Sequence, residues 1–228
     1  MSREFLQRIV STPLVFDGAM GTLIYEKGVF LNVSYDELCL SRPSLVASIH
    51  RDYVAAGADV IETNSFGANR IRLAEFGLAE KTAEINAAAV SLARREAGST
   101  ALVAASCGPC STRAAGFGSL DRAAVEAAFD EQTGLLAEVG ADLFVLETFH
   151  DAEELLLAAR AARRHGLPVV ASVSPAAFET EPLETVLARL AASPDVDVVG
   201  LNCLYGPAEM LEPLRRALAA VRKPLLVI

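Results

Sequence analysis

The residues able to do chemistry in this chain sit where short apolar runs give way to polar ones. Asp17 follows Leu14-Val15-Phe16, Glu62-Thr63-Asn64 follows Asp59-Val60-Ile61, and Ser106-Cys107 follows Ala101 to Ala105. The run Leu143 to Leu146 ends in Glu147-Thr148, Val169 to Val173 carries Ser172 and leads to Ser174, and Val198 to Leu201 ends in Asn202-Cys203. Two carboxylates, Asp17 and Glu147, suit an ammonium group. The glycines in Asp17-Gly18-Ala19-Met20-Gly21 let backbone N–H groups approach a carboxylate. Together they suit an amino-acid ligand. The same residues also have a structural reading, with Glu147 capping the turn after it and Asp17 bracing a tight loop. One polar residue in such a place is commonly a satisfied hydrogen bonder, but six in register point to a shared pocket.

The elements that must position these groups are legible around them. A seventh apolar run, Leu225 to Ile228, completes the series. Near-continuous hydrophobicity in runs this short is what a parallel sheet buried on both faces requires. Between the runs lie segments of helical period. Ser41 precedes a helix carrying Leu45, Val46, Ile49, Tyr53 and Val54, with Gly57 placed to end it. Asp121 precedes Val125, Phe129, Leu136 and Val139, with Gly140 after. Asp151 and Glu154 form a D-x-x-E capping box before a helix that stops near Gly166, and Met210, Leu211, Leu214 and Leu218 follow Gly206-Pro207. Gly57-Ala58-Asp59 and Gly140-Ala141-Asp142 enter two runs with the same words, as repeated βα units would. Seven strands with no linker or composition shift predict one α/β domain over residues 1–228. A dinucleotide-binding sheet should carry Gly-x-Gly-x-x-Gly after its first strand, and this chain does not. The patterns therefore favour a (β/α)8 TIM-type barrel over an open doubly wound sheet.

Composition narrows the partners. The 228 residues are 52% hydrophobic, which excludes disorder as the main state. With 20 Lys+Arg against 29 Asp+Glu, a net charge of −9 and no basic cluster, neither nucleic acid nor an anionic membrane is an expected partner. No apolar stretch reaches the ~20 residues of a spanning helix and the first residues lack a signal-type core, which predicts a soluble, cytoplasmic protein. Four cysteines, Cys39, Cys107, Cys110 and Cys203, do not form a secreted disulfide framework. Cys107-Gly108-Pro109-Cys110 matches a redox Cys-x-x-Cys, but at the end of a third strand in a long α/β array it lacks the thioredoxin-like context. Cys203 alone would be read as a small buried hydrophobe; its place in the polar ring sets it apart. His150, just beyond Glu147-Thr148-Phe149, is a further candidate ligand contact.

Five blocks in order resemble the homocysteine S-methyltransferase family: Phe16 to Thr22, Gly57 to Ala68, Gly108-Pro109, Leu146 to Phe149 and Gly200 to Cys203. The resemblance implies a barrel that binds homocysteine and, with a methyl donor, makes methionine. It implies substrate contacts from Asp17, Gly18, Ala19, Met20, Gly21, Thr63, Asn64 and Glu147. Asp17 and Glu147 would hold the ammonium, and the Gly18 to Gly21 loop the carboxylate. It also implies a zinc ion that activates the substrate sulfur, held by three thiolates, one at the position of Cys203 and two in a Gly-Gly-Cys-Cys motif. No Gly-Gly-Cys-Cys occurs in this sequence. Zinc is accordingly expected to be weak or absent here. The barrel is expected to lack its last strand and helix, leaving room for a homo-oligomer or a completing C-terminal polypeptide. A non-catalytic homocysteine-binding or structural remnant is the competing reading.

Overall fold

In the computed structural model, residues 4–30, 32–112, 114–175, 181–203 and 206–228 are described. The elements run α1 (Glu4–Ser11), α2 (Met20–Glu26), α3 (Leu38–Ser41), α4 (Pro43–Ala55), β1 (Val60–Glu62), α5 (Arg70–Ala74), α6 (Thr82–Ala97) and β2 (Leu102–Cys107). They continue with α7 (Arg122–Val139), β3 (Leu143–Phe149), α8 (Ala152–Arg163), β4 (Val169–Val173), α9 (Leu183–Ala192), β5 (Val198–Leu201), α10 (Pro207–Ala220) and β6 (Leu225–Val227). The six strands pair in parallel in sequential order, β1 to β6. The run Leu14-Val15-Phe16 takes the place before β1 through one parallel bridge, Phe16 to Val60, rather than a full strand.

Strand alternation divides the apolar side chains into two faces. One set, Val60, Leu102, Ala104, Leu143, Val145, Val170 and Val198, packs into a single cluster with Phe5, Phe16, Leu226 and Ile228. Side chains from both ends of the sheet meet there, so the sheet curls on itself as an incomplete TIM-type barrel. The alternate set, including Ala105, Phe144, Leu146, Ala171, Val199 and Leu201, packs outward against α7 to α10. Between the Phe16 and β6 edges lies a second cavity of about 440 Å³, lined by Phe5, Ile9, Leu14, Phe16 and Pro224 to Val227 among others.

One device recurs at the N-terminal ends of the strands. Asp59, Asp142 and Asp197 each donate a backbone N–H to the preceding strand position (Val15, Val103 and Val169, all at 2.8 Å). Each carboxylate accepts the N–H of that same residue at 3.0, 2.8 and 2.8 Å. An arginine from the preceding helix, Arg8, Arg94 or Arg163, completes each unit at 2.6, 2.6 and 2.9 Å. The Gly-Ala-Asp echo is this clamp.

The helices depart from expectation in four places. Ser41 closes α3 instead of capping α4; Arg42 takes that place, with Pro43 in the first turn, where its missing N–H costs nothing. Asp151 does cap α8, accepting from the N–H of Glu153 and Glu154 at 2.8 and 2.9 Å. Glu154, however, faces the interior and accepts from Cys110 N–H (2.7 Å), Ser111 N–H (3.0 Å) and Ser111 Oγ (2.5 Å), so it pins the loop after β2 rather than closing a capping box. On α10, Met210 and Ala217 are buried whereas Leu211 and Leu218 are exposed. Val139, at the last turn of α7, is also exposed. Among the described residues, no helix is long and apolar enough to cross a membrane.

Candidate functional site

The polar strand ends line one cavity of about 580 Å³, within the range of small-molecule sites. It collects Asp17, Gly18, Ala19, Met20, Gly21, Thr63, Asn64, Glu147 and Cys203 from the expected set, together with Glu62, Ser106, Thr148 and Asn202 of the same ring. The sequence reading did not assign Tyr35, Asp36, Phe66 and Ile228 to the site. Phe66 lies inside the Gly57 to Ala68 block and was detectable there; Tyr35 and Asp36 come from an irregular segment with no periodic signal.

Local backbone breaks aim the side chains. The β3–β4 register slips between Leu146 and Phe149, and Thr148 within the slip has φ +58°. A break of this kind turns consecutive side chains away from strict alternation, and both Glu147 and Thr148 reach the cavity. Cys203, just past β5, has φ +63° and is exposed. In the loop before α2, a Cβ on Gly18 would stand 3.0 Å from the Tyr53 hydroxyl, which donates to the Ala19 carbonyl at 3.2 Å. A side chain there would have to push the Tyr53 ring aside by a few tenths of an ångström.

Hydrogen bonds fix the acids. Asp17 Oδ2 accepts the Glu62 N–H at 2.9 Å. Glu147 Oε1 accepts from Ser106 Oγ at 2.5 Å, and its Oε2 faces Asn202 Nδ2 at 3.4 Å. Asn202 is itself held by Thr148 N–H (3.1 Å), Thr148 Oγ1 (2.7 Å) and Ser172 Oγ (2.9 Å). Thr63 and Asn64 are turned largely to internal work. Thr63 Oγ1 bonds Ser65 Oγ and the Ser106 N–H at 2.6 and 3.1 Å, and Asn64 Nδ2 donates to the Tyr35 carbonyl at 2.7 Å.

Four carboxyl groups, Asp17, Asp36, Glu62 and Glu147, thus line the cavity, and no Lys, Arg or His lines it among the described residues; Asp36 is bound by the Gly67 N–H at 2.9 Å and by Ser34 Oγ at 3.2 Å, which leaves the three strand-end acids facing one another. Burial lifts the Asp17 carboxyl to about 7, with the Glu147 charge adding to it. Glu62 is held well above the carboxylate range by burial and then by Glu147 and Asp17; Glu147 is raised by burial, offset by its bonds from Ser106 and Glu62. An arrangement that penalises its own negative charges is suited to a cation.

The other candidates lie elsewhere. His150 does not line the cavity and pairs with Ser111 Oγ at 3.1 Å. Cys107 and Cys110 are buried, with their thiols pushed far up by desolvation, and Cys39 is pushed up to about 12. No group of three His, Cys, Asp or Glu side chains stands ready to hold a metal among the described residues. Cys203 is the one thiol at the cavity. One thiol does not fit the donor set of a zinc centre.

An incomplete TIM-type barrel with an acid-rich cavity at the C-terminal ends of its strands defines a small-molecule site of the kind that fold carries in enzymes. The chain belongs to the homocysteine S-methyltransferase family, whose profile matches residues 14–228. It is 34% identical over 246 residues to methionine synthase of Mycobacterium tuberculosis, covering 99% of this chain and 21% of that protein. It is 28% identical over 217 residues to mouse S-methylmethionine–homocysteine S-methyltransferase BHMT2, covering 93% of this chain and 58% of that one. The chain spans about a fifth of the length of the methionine synthase. In fold it is similar to the Escherichia coli homocysteine methyltransferase MmuM in its metallated form, with TM-score 0.78 and 23% identity over all of this chain and 94% of that one.

Proposed function

We propose that this chain is the homocysteine-binding part of a methyltransferase that converts homocysteine to methionine. The substrate ammonium sits between Asp17 and Glu147, its carboxylate meets the backbone of Gly18 to Gly21, and its sulfur lies toward Cys203. The observation that carries this reading is the cluster of carboxyl groups in a cavity lined by no cationic side chain among the described residues. Family membership supplies the identity of the amino acid. Glycine-rich backbone and an α2 start without a side-chain cap leave N–H groups available to a carboxylate. Because the thiol set does not fit zinc, the methyl-transfer step is not routed through a metal held by these residues.

Calorimetric titration of L-homocysteine tests the proposal. Glu147→Ala removes one charge-assisted contact, worth about 1.5–3 kcal/mol, and should weaken binding at least tenfold. Unchanged affinity would rule out Glu147 as the ammonium partner.

A further inference from the structure

Glu62 occupies a place in the cavity that the ammonium reading leaves unexplained. Its backbone N–H serves Asp17, while its carboxyl group faces that of Glu147 in the same cavity and is the one strand-end acid with no donor of its own among the described residues. Two carboxyl groups can hydrogen bond to each other only when one of them carries a proton. Which one carries it follows from their other partners. The Thr148 backbone N–H can only donate, so the oxygen of Asn202 must face it, and the Asn202 amide nitrogen is left to face Glu147 at 3.4 Å. Ser106 points its hydroxyl at the other Glu147 oxygen. Glu147 is therefore surrounded by donors and is the acceptor of the pair. Glu62 Oε1, by contrast, is sealed from solvent and meets no donor. As a carboxylate oxygen it would be an unpaired buried acceptor, a costly state; as part of a carboxylic acid it is relieved of charge.

We infer that Glu62 is a neutral carboxylic acid in the working site, a positioning residue that donates its proton to Glu147 and so holds that carboxylate turned toward the ligand. The charged and titratable groups facing it are Asp17 from the loop before α2 and Glu147 from β3. No cation of the cavity wall stands against it among the described residues. With Glu62 neutral, one ammonium meets two carboxylates, Asp17 and Glu147, instead of three. The positioning role rests on the ammonium reading; the protonation state stands without it.

Infrared spectroscopy of the ligand-free protein at about pH 8.5, where Asp17 is ionised, tests the protonation state directly. The expected result is a protonated-carboxyl C=O band that shifts in D2O and is lost in Glu62→Gln. A wild-type spectrum without the band, or a band whose intensity is unchanged in Glu62→Gln, would overturn the inference. Titration of L-homocysteine tests the positioning. Glu62→Gln, which keeps a neutral donor of the same shape, should rescue most of the affinity that Glu62→Ala loses, about tenfold or more. Equal losses in both variants would mean that Glu62 acts as a carboxylate. If wild-type protein shows the infrared band but no homocysteine binding, the ammonium reading and the positioning role fall together while the neutral acid remains.

Discussion

Replacing Asp17 with Asn should stabilise this protein and weaken its ligand binding, with a pH dependence fixed by one titration. Asp17 is 7% exposed, and burial raises its carboxyl from the ordinary 3.8 to about 7. Between those values the folded chain keeps a proton that the unfolded chain has released. Stability is therefore full below about pH 4 and is lost as pH rises toward 7. A gap of roughly three units corresponds to about 4 kcal/mol at most, since each unit is worth about 1.4 kcal/mol. Asn keeps an acceptor oxygen for the Glu62 N–H, now met at 2.9 Å, and has nothing to ionise. Urea unfolding should give equal stabilities for wild type and Asp17→Asn at pH 4, and a variant more stable by about 2–4 kcal/mol at pH 8. In the same pH range L-homocysteine binding to wild type should tighten as Asp17 ionises, and the variant should bind at least tenfold more weakly at pH 8. A stability difference that does not change between pH 4 and pH 8 would refute the claim that Asp17 is a destabilised charge held for a ligand.

Other perturbations separate the site from its scaffold. His50, fully buried with neither ring nitrogen partnered, is lowered by desolvation to about 4; stability should fall by about 3 kcal/mol as pH drops from 6.5 to 4, and urea unfolding of His50→Leu should show that loss removed. A Cβ at Gly200 would stand 2.6 Å from the Ser172 Cβ and 3.1 Å from its Cα, so Gly200→Ala should cost about 1–3 kcal/mol by overpacking and weaken homocysteine binding by displacing Asn202, read by thermal unfolding and calorimetry. Asp142→Ala breaks the clamp to the Val103 N–H and Arg94 at the opposite end of the sheet. It should cost about 2–4 kcal/mol in urea unfolding with homocysteine affinity intact in the folded fraction.

The strand order and the ring of polar strand ends were readable because parallel strands buried on both faces advertise themselves as apolar runs, and the chemistry begins where the runs stop. The short family blocks carry Asp17, Glu147 and Cys203 at strand ends, and all three line the one cavity. What sequence pattern could not reach was the destination of side chains that act across the fold. Glu154 has the spacing of a capping-box glutamate, yet its helix face is buried, and the nearest unsatisfied donors are the N–H groups of Cys110 and Ser111, more than forty positions back. Asn64 carries a polar side chain at a strand end, yet its amide holds the Tyr35 carbonyl. Leu211 and Leu218 follow the apolar period of α10 but remain exposed, because the period names a face without naming what covers it.

Energetic cost in this molecule is distributed along the strands in one direction. At their N-terminal ends the Asp–Arg clamps pair each carboxylate with a backbone N–H and an arginine, and the glycines at positive φ there, Gly57 and Gly140, take up conformations that cost glycine little. At their C-terminal ends stand the only non-glycine residues with positive φ among those described, Thr148 and Cys203, and three carboxyl groups that burial forces toward protonation. Strain and buried charge persist only where surrounding structure over-determines them. Here the surrounding structure is the hydrogen-bond set of Asn202, which ties Thr148, Ser172 and Glu147 into one unit a residue before Cys203. A barrel that gathers its strained strand-end residues and its clustered acids in one cavity and its clamps at the other end has its strand-end stability and its binding chemistry physically separated. The same separation makes Asp17→Asn a gain in stability and Asp142→Ala a loss, although both remove an aspartate from the end of a strand.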